Sequence, residues 1–373
     1  MAVLNSAQFS PTLGGRYYYE PEIYAKELER IFGQMWVCVG RAEAIPEKGQ
    51  FFLVDLGGEN IIVVRGRDLQ VRAFYNVCRH RGARVCNEQQ GKAAALQCRY
   101  HAWTYGLDGK LNGAPNIINS EAFDREAYGL VPVAAEVWEG MIWLNLSDKP
   151  APIEEQLHEP IIKRFGSLDT WKRYGIGDLT VGKSISYDVE ANWKLVVENF
   201  MECYHCGPMH PELCQLIPAF RGGVSYQAHV GVGSAFAEDI EGFNFSGKAT
   251  RPILPNLSPA EERMYYGLVL WPNVLVSLLP DHVILHTALP MGPERTRVVC
   301  DWIFDSEVAA RLDFDPMDAV EVFDLVNRQD WEVCEMVQKN ARSRAFANGG
   351  IFVPTEQHIN SFNDLIRQRI GAL

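Results

Sequence analysis

The sequence predicts an α+β protein of two domains, in which a small antiparallel β domain precedes a larger domain that combines helices with an antiparallel sheet. The chain has 373 residues, enough for two domains with a sizeable core. Short β-rich runs separated by turn residues lie before residue 160, and helical and strand patterns occupy separate stretches after it. We therefore expect domains over residues 40–160 and 161–373, with residues 1–40 contributing a helix that packs on the larger domain.

The first element is predicted to be a helix over residues 21–36. Pro21 suits the first helical turn, where its missing N–H would have no intrahelical partner. Tyr24, Leu28 and Ile31 recur at the spacing of one helical face. We expect this stripe to face the protein interior.

Strands are predicted from runs rich in β-branched and aromatic residues. In the β domain these runs cover residues 51–55, 61–64, 71–75 and 141–145. In the larger domain they cover residues 268–271, 274–277 and 297–301.

Two pairs of metal-ligand residues lie between the strands of the β domain. Cys78 and His80 form the first pair, and Cys98 and His101 form the second. Two thiolates and two imidazoles suit a two-iron, two-sulfide cluster that has the thiolates on one iron and the imidazoles on the other. The same ligands suit tetrahedral zinc, although zinc sites usually pair Cys with Cys and His with His. The mixed pairs favour the iron–sulfur cluster.

A second candidate metal site lies in the larger domain. His205 and His210 are five residues apart and would point to different faces of a regular helix. Gly207 and Pro208 lie between them and are expected to break the helix there, so that both imidazoles turn toward one ion. Two histidines and a carboxylate, with coordination positions left open, form the facial triad of non-haem iron(II) oxygenases.

The carboxylate is predicted to come from a helix near the C-terminus. The apolar face of this helix is marked by Val322, Val326, Val333 and Val337. Asp330 lies on the same stripe, and a carboxylate that faces a core is costly unless it is paired or coordinates a metal. Asp330 is therefore a candidate ligand, and a helix cap or an ion pair with the nearby Arg328 is the alternative.

Both metal regions resemble those of Rieske non-haem iron oxygenases. The first region is similar in its ligand spacing and in the aromatic residues that follow the second pair, and the second in the segments that contain Asn192, His210 and Asp330. The resemblance covers about residues 20–370 and implies a helix-grip-type catalytic domain. It implies that Cys78 and Cys98 hold one iron of a Rieske [2Fe–2S] cluster and that His80 and His101 hold the other. The implied ligands of a mononuclear Fe(II) are His205, His210 and Asp330.

Glu202 precedes His205 by three residues and so reaches the same side of the chain. In the family, an acidic residue at this place bridges a Rieske histidine and an iron-binding histidine. The resemblance therefore implies a connection from His101 through Glu202 to His205, which would couple the two metal sites. The alternative is an ordinary solvated glutamate on a helix surface.

The resemblance implies the oxygenase (alpha) component of a multicomponent enzyme that activates O2. Electrons from NAD(P)H would arrive through a separate flavin and iron–sulfur reductase, because this chain has no dinucleotide-binding glycine pattern and no plant-type ferredoxin cysteines. Family members form trimers, so we expect a homotrimer.

The segment around His205 most resembles the branch that acts on quaternary ammonium compounds, which includes glycine betaine and stachydrine demethylases. This implies a monooxygenase that removes an N-methyl group as formaldehyde. An aromatic cage for the cation is expected, but neither its members nor a carboxylate clamp stands out, and Phe200 and Tyr204 are near the iron ligands only in sequence. The alternatives are a ring-hydroxylating dioxygenase or aryl O-demethylase of the same family, and an electron-transfer protein without oxygenase activity.

Composition restricts the partners and the compartment. A formal net charge of −12 argues against nucleic acid or an anionic membrane as a partner, and no apolar run is long enough to span a bilayer. The N-terminus lacks a secretory pattern, and nine cysteines suit a reducing compartment, so we expect a cytoplasmic protein. Two further groups are expected to be structural: Cys203 and Cys206, as small hydrophobic residues, and His282 and His286, on one face of a strand.

Overall fold

The computed structural model describes residues 9–117, 123–223 and 229–371, which divide into two compact units. The smaller unit is Leu28–Ile153, and the larger unit combines Met1–Glu27 with Glu154–Leu373. Most of the N-terminal stretch on which the expected lack of a secretory signal rests, residues 1–8, lies outside the described residues. Within the described ranges, no helix is both long enough and apolar enough to cross a bilayer.

Strands and helices are largely segregated along the chain in an α+β arrangement, as predicted. The strands are β1 Ser10–Pro11, β2 Val37–Arg41, β3 Gln50–Leu56, β4 Glu59–Arg65, β5 Val71–Tyr75, β6 Gln90–Lys92, β7 Leu96–Gln97, β8 Thr104–Tyr105, β9 Leu111–Gly113, β10 Pro132–Trp138, β11 Met141–Asn145, β12 Thr180–Val189, β13 Ser234–Ala235, β14 Met264–Leu270, β15 Val274–Leu278, β16 His282–Gly292, β17 Arg295–Phe304 and β18 Ile351–Phe352. The α-helices are α1 Pro21–Glu27, α2 Ile153–Phe165, α3 Asp169–Tyr174, α4 Trp193–Phe200, α5 Cys206–Met209, α6 Pro211–Leu216, α7 Ser306–Ala309, α8 Met317–Asn340 and α9 Asn360–Ile370.

The smaller unit contains two antiparallel sheets. Seven strands form one sheet in the order β2-β11-β10-β5-β4-β3-β6, and β7, β8 and β9 form the other. In the large sheet, Leu53 of β3 pairs with Ile62 of β4, and both side chains are buried. The four strands predicted for this region are confirmed.

The larger unit is built on a six-stranded antiparallel sheet in the order β12-β17-β16-β15-β14-β13. The long helix α8 contacts this sheet, and the Tyr187 hydroxyl on β12 donates to Asp324 Oδ1 on α8 at 2.6 Å. The three strands predicted here are confirmed, except that β14 ends at Leu270 and Trp271 lies in the turn. Pro272 follows that turn and has no N–H to donate to a ladder.

The N-terminal helix differs from its prediction in length and in orientation. The α-helix ends at Glu27, one π-helical turn continues over Leu28–Phe32, and residues 33–36 are not helical. Its buried face carries Ile23, Glu27 and Ile31, whereas the predicted stripe members Tyr24 and Leu28 are only partly buried. Glu27 is fully buried because it pairs with Lys194 Nζ at 2.6 Å, so the helix turns a charge inward.

The C-terminal helix is confirmed as α8, although its apolar face is only partly as predicted. Val322 and Val326 are buried, whereas Val337 is exposed. In the second half of the helix, the buried face passes through Trp331, Cys334 and Gln338. The last of these is polar, but its side chain is satisfied because it donates to the Tyr18 carbonyl.

Candidate metal centres and substrate cavity

Two loops of the smaller unit carry the four Cys and His residues predicted to hold the cluster. Cys78 and Cys98 are buried in the hydrophobic core of this unit. In each loop the cysteine N–H donates to the carbonyl five residues on, and the cysteine carbonyl accepts from the N–H four residues on, at 2.8–2.9 Å. The residue at this fourth position, Gly82 or Ala102, has a positive φ of 75° or 56°. The two loops therefore present their ligands through the same backbone turn.

The imidazoles lie at the surface, on the opposite side of the site from the buried thiols. The rings of His80 and His101 meet edge to face with centroids 4.6 Å apart, and Trp103 stacks on His80 at 5.0 Å. The Tyr105 hydroxyl lies 3.3 Å from Cys78 Sγ and accepts from a backbone N–H, which leaves its own proton for the sulfur. Burial and the neighbouring Cys78 raise the pKa of Tyr105, so this hydroxyl stays a donor.

The spacing of the four side chains separates the cluster from zinc. Tetrahedral zinc holds its donor atoms at about 2.0–2.3 Å, so all four would lie within about 4 Å of one another. Among the described residues, donors close enough to share a single ion are found at another place, and not at these four. A two-iron cluster binds its thiolates and imidazoles on different irons, and so it fits the wider arrangement.

The donors that can share one ion are His205, His210 and Asp330. The two Nε2 atoms are 3.1 Å apart, and Asp330 Oδ1 lies 2.9 Å from His210 Nε2 and 3.2 Å from His205 Nε2. Metal bonds of about 2.1 Å that meet at right angles place their donor atoms about 3 Å apart. The triangle therefore matches one face of an octahedron.

The other nitrogen of each imidazole explains why the triangle suits a cation. His205 Nδ1 contacts Glu202 Oε1, and His210 Nδ1 lies 2.7 Å from Gln329 Oε1. When each Nδ1 donates its proton to these oxygens, both Nε2 lone pairs point at the Asp330 carboxylate. Three electron-rich atoms at this distance repel one another unless a cation, such as a metal ion or a proton, lies between them. The donor set thus fits the implied Fe(II).

The local fold around the histidines is not the one predicted. Helix α4 ends at Phe200, before either histidine, and the Met201 carbonyl contacts the ring of His358 instead of continuing the helix. Gly207 and Pro208 do not break a helix but lie within the single turn of α5. Proline is tolerated there because the first-turn N–H groups have no intrahelical partner. His205 and His210 flank this turn, and that position brings them together.

Both acidic residues of the predicted site contact its histidines. Arg328 pairs with Asp324 at 3.0 Å, and Asp330 contacts the two histidines. Glu202 is only partly exposed, and it accepts from the backbone N–H of His205 at 3.2 Å besides contacting its ring. It is therefore held against His205, a predicted iron ligand, and is not a freely solvated side chain.

A cavity that opens to solvent lies against the His205–His210–Asp330 triangle. Four of its lining residues are aromatic: Phe200, Phe220, Tyr265 and Phe323. The sequence had pointed to Phe200 and Tyr204 by proximity alone, but Tyr204 is 58% exposed and does not line this cavity. The other rings come from the 3₁₀ turn Pro218–Gly222 after α6, from β14 and from α8, and no sequence pattern unites them.

A charged residue also lines the cavity. Arg164, near the end of α2, is 5% exposed and was not singled out in the sequence. Helix α2 is amphipathic, and Lys163 beside it is exposed, so nothing in the sequence distinguishes a buried arginine from a surface one.

The remaining sequence candidates are structural. Cys203 and Cys206 are buried next to the cavity without forming a disulfide, as predicted. His282 and His286 are buried on β16, where His286 Nε2 lies 2.9 Å from Asn327 Oδ1 on α8. Burial lowers the pKa of His286 to about 4, so this side chain is neutral at physiological pH.

Comparison with known families matches both parts of the chain. Residues 176–372 match the family described as the ring hydroxylating alpha subunit (catalytic domain), and residues 35–124 match the Rieske [2Fe-2S] domain.

Two curated relatives span most of the chain. It is 32% identical to the glycine betaine monooxygenase oxygenase subunit of Chromohalobacter salexigens, over 93% of this chain and 83% of the relative. It is 29% identical to the carnitine monooxygenase oxygenase subunit of Acinetobacter pittii, over 91% of this chain and 88% of the relative.

Solved structures show the same fold. A quaternary ammonium Rieske monooxygenase studied for carnitine oxidation and inter-subunit electron transfer aligns with a TM-score of 0.75 at 27% identity, over 97% of this chain and 96% of that chain. A Rhodococcus naphthalene 1,2-dioxygenase aligns with a TM-score of 0.71 at 21% identity, over 91% of this chain and 84% of that chain, which is a likeness of fold.

Proposed function

The chain belongs to the family of Rieske oxygenase alpha subunits, and from this premise we propose that it N-demethylates a quaternary ammonium compound that resembles a betaine. The family makes it an oxidoreductase with a Rieske [2Fe–2S] cluster and a mononuclear iron, so a protein that only transfers electrons is excluded. The substrate class is supported by the relatives that act on glycine betaine and carnitine.

The observation that carries the proposal is an aromatic cavity that adjoins the His205–His210–Asp330 triangle. A ring face attracts a desolvated cation by up to about 2 kcal/mol, so Phe200, Phe220, Tyr265 and Phe323 suit a methylated ammonium group. A methyl group of that cation would then lie beside the iron ligands. Ring hydroxylation, the alternative within the family, does not need a cation.

The protein residues hold the metals and position the substrate. We propose Cys78, His80, Cys98 and His101 as ligands of the cluster and His205, His210 and Asp330 as ligands of the iron. When bound, the cluster supplies electrons and the iron supplies the activation of O2. In the overall reaction, one oxygen atom enters an N-methyl C–H bond and the other leaves as water, with two electrons and two protons from the reductase side. The resulting hemiaminal collapses to formaldehyde and the demethylated amine.

Further parts of the proposal concern electron supply and assembly. A separate reductase is the family arrangement, and we propose that it passes electrons from NAD(P)H to this chain. A homotrimer is proposed, in which Glu202 connects the iron site to the cluster of a neighbouring subunit. Inter-subunit electron transfer has been described for a solved relative. A cytoplasmic location remains a prediction.

The proposal is tested by measuring formaldehyde in a single turnover of the chemically reduced protein. The protein is given O2 and a panel of glycine betaine, stachydrine, carnitine, γ-butyrobetaine and choline, with naphthalene as the aromatic comparison. We expect formaldehyde from at least one ammonium compound and no ring-hydroxylated product.

Asp330→Ala serves as the matched variant because it removes one iron ligand and leaves the cluster region untouched. We expect it to keep the Rieske absorption spectrum and to release no formaldehyde. A hydroxylated ring product without any formaldehyde, from protein with both metal sites filled, would contradict N-demethylation. Full turnover by Asp330→Ala would remove Asp330 from the iron site.

A further inference from the structure

A buried positive charge in the larger unit has no ion-pair partner among the described residues. Arg164 is 5% exposed, and among the described residues it contacts no aspartate or glutamate. Buried charges are costly and are usually paired, so this arginine needs an explanation. Burial lowers its pKa to about 10, and it therefore remains charged at neutral pH.

Backbone carbonyls use part of the guanidinium. Nε donates to the Gly267 carbonyl at 3.0 Å, Nη1 to the His229 carbonyl at 2.9 Å and Nη2 to the Val232 carbonyl at 2.7 Å. The rings of Phe165 and Tyr266 lie 5.2 and 5.5 Å from Cζ. These contacts orient the group and partly solvate it, but they do not neutralise its charge.

Two donor hydrogens of the guanidinium stay available. An arginine has five N–H groups, and three of them donate to these carbonyls. The two that remain, one on Nη1 and one on Nη2, have no partner among the described residues. A pair of N–H groups on one guanidinium matches the two oxygens of a carboxylate.

Arg164 lies close to the predicted iron site. Its side chain lines the same cavity as His205, His210 and Asp330, and it also lines a second cavity, of about 950 Å³ with its open mouth, which Lys163 borders. An anion in the first cavity would therefore lie in the same space as the predicted iron ligands and the four aromatic rings.

We propose that Arg164 binds the carboxylate of the substrate, so that the enzyme acts on a zwitterion that carries both a methylated ammonium group and a carboxylate. This inference rests on the proposed function and narrows it, because it favours betaines and carnitine-like compounds over choline. The aromatic rings hold the cationic end near the iron ligands, and the guanidinium fixes the opposite end. Arg164 is thus a specificity-determining residue.

The test compares each carboxylate substrate with its own carboxamide, which has nearly the same size but no negative charge. A hydrogen bond to a charged group is worth about 1.5–3 kcal/mol, so kcat/KM of the unsubstituted enzyme should favour the carboxylate by about ten- to hundred-fold. In Arg164→Gln we expect this ratio to fall toward one, mainly through a higher KM for the carboxylate. Lys163→Gln, which removes the same charge one residue away, should keep the ratio.

The outcomes separate this inference from the proposed function. If no ammonium compound releases formaldehyde, the proposed function fails. If choline or the carboxamides react as well as the carboxylates, demethylation stands and the carboxylate site is overturned. A purely structural role of Arg164 would lower the rates with carboxylate and carboxamide together and leave their ratio unchanged, which would also overturn it.

Arg164→Lys is the second variant if Arg164→Gln does not fold. A single ammonium cannot donate to three carbonyls and both oxygens of a carboxylate, so the carboxylate KM should rise at least ten-fold while the carboxamide KM changes little. Equal changes for both substrates would count against the proposal.

Discussion

At the scale of single residues, the iron site depends on the acceptors behind its two histidines. The Nδ1 of His205 meets the charged Glu202, whereas the Nδ1 of His210 meets the neutral Gln329. Both oxygens fix the tautomer that leaves Nε2 free for a metal. Only Glu202 adds a negative charge, and only Glu202 has been proposed as the electron bridge.

Alanine variants of these two acceptors should therefore differ once iron is restored. We expect both Glu202→Ala and Gln329→Ala to bind iron about 10- to 100-fold more weakly, because each loses the hydrogen bond that orients a ligand. Iron titration under anaerobic conditions measures this loss. At saturating iron, substrate and O2 are added to the reduced protein. The cluster of Gln329→Ala should then be reoxidised as fast as that of the unsubstituted protein, whereas the cluster of Glu202→Ala should stay reduced.

Rapid-mixing absorption at the cluster bands checks the second part, with the oxidised Rieske spectrum of each variant as the control for intact folding. Reoxidation at the normal rate in iron-saturated Glu202→Ala would mean that Glu202 orients His205 and has no part in electron transfer.

The candidate metal ligands could be recognised in the sequence, but the residues of the cavity could not. His205 and His210 lie in one short segment, and Asp330 occupies a position on an otherwise apolar stripe. Their ability to bind a metal can therefore be recognised from the local sequence. Arg164, Phe220, Tyr265 and Phe323 come from four separate elements. Their types are common in cores and on surfaces, and only folding shows that they meet.

At the scale of elements, strands were easier to predict than helix faces. The strand runs are rich in β-branched residues, and the observed strands begin and end close to the ends of these hydrophobic runs. The faces of α1 and α8 were only partly predicted because each buries polar groups, Glu27 in one and Gln338 in the other. A pattern of apolar residues cannot reveal a face on which a charge pair or an amide is buried.

The pair between Glu27 of α1 and Lys194 of α4 should dominate the attachment of the N-terminal helix. Both side chains are fully buried, and Glu27 Oε2 also accepts from the Trp193 ring N–H at 2.9 Å. We expect Glu27→Gln to lower the free energy of unfolding by about 3–5 kcal/mol, because it removes the carboxylate that is hydrogen-bonded to the buried Lys194 ammonium. Urea unfolding measures this change.

Glu22→Gln is the matched control, since Glu22 is exposed on the same helix and its substitution should change stability by no more than about 0.5 kcal/mol. Equal effects of the two substitutions would show that the buried pair contributes nothing beyond a surface charge.

At the scale of the whole molecule, a partly buried carboxyl group on helix α4 makes the stability of the protein depend on pH. The Tyr18 hydroxyl donates to the carboxylate of Glu198 on this helix, 3.1 Å from Oε1 and 2.9 Å from Oε2. Burial raises the pKa of Glu198 from 4.5 to about 7, although Tyr18 and Lys194 act in the opposite direction. His286 shifts the other way, because its burial disfavours the charged form as the pH falls toward 4. The pH dependence of stability therefore combines two opposing contributions between pH 4 and 7.

Glu198→Gln isolates one of these contributions, because glutamine imitates the protonated glutamate at every pH and leaves His286 unchanged. A carboxyl group with a raised folded-state pKa stabilises the protein fully below its unfolded pKa of 4.5, and this stability is lost as the pH rises through about 7. The two proteins should therefore be equally stable near pH 4.5, and the glutamine variant should be more stable at pH 8. The expected difference is about 2 kcal/mol, below the ~3 kcal/mol of a fully buried group, because Glu198 is partly exposed. Urea unfolding of both proteins across this range measures it, and a difference that does not change with pH would mean that Glu198 titrates in the folded protein as it does in the unfolded chain.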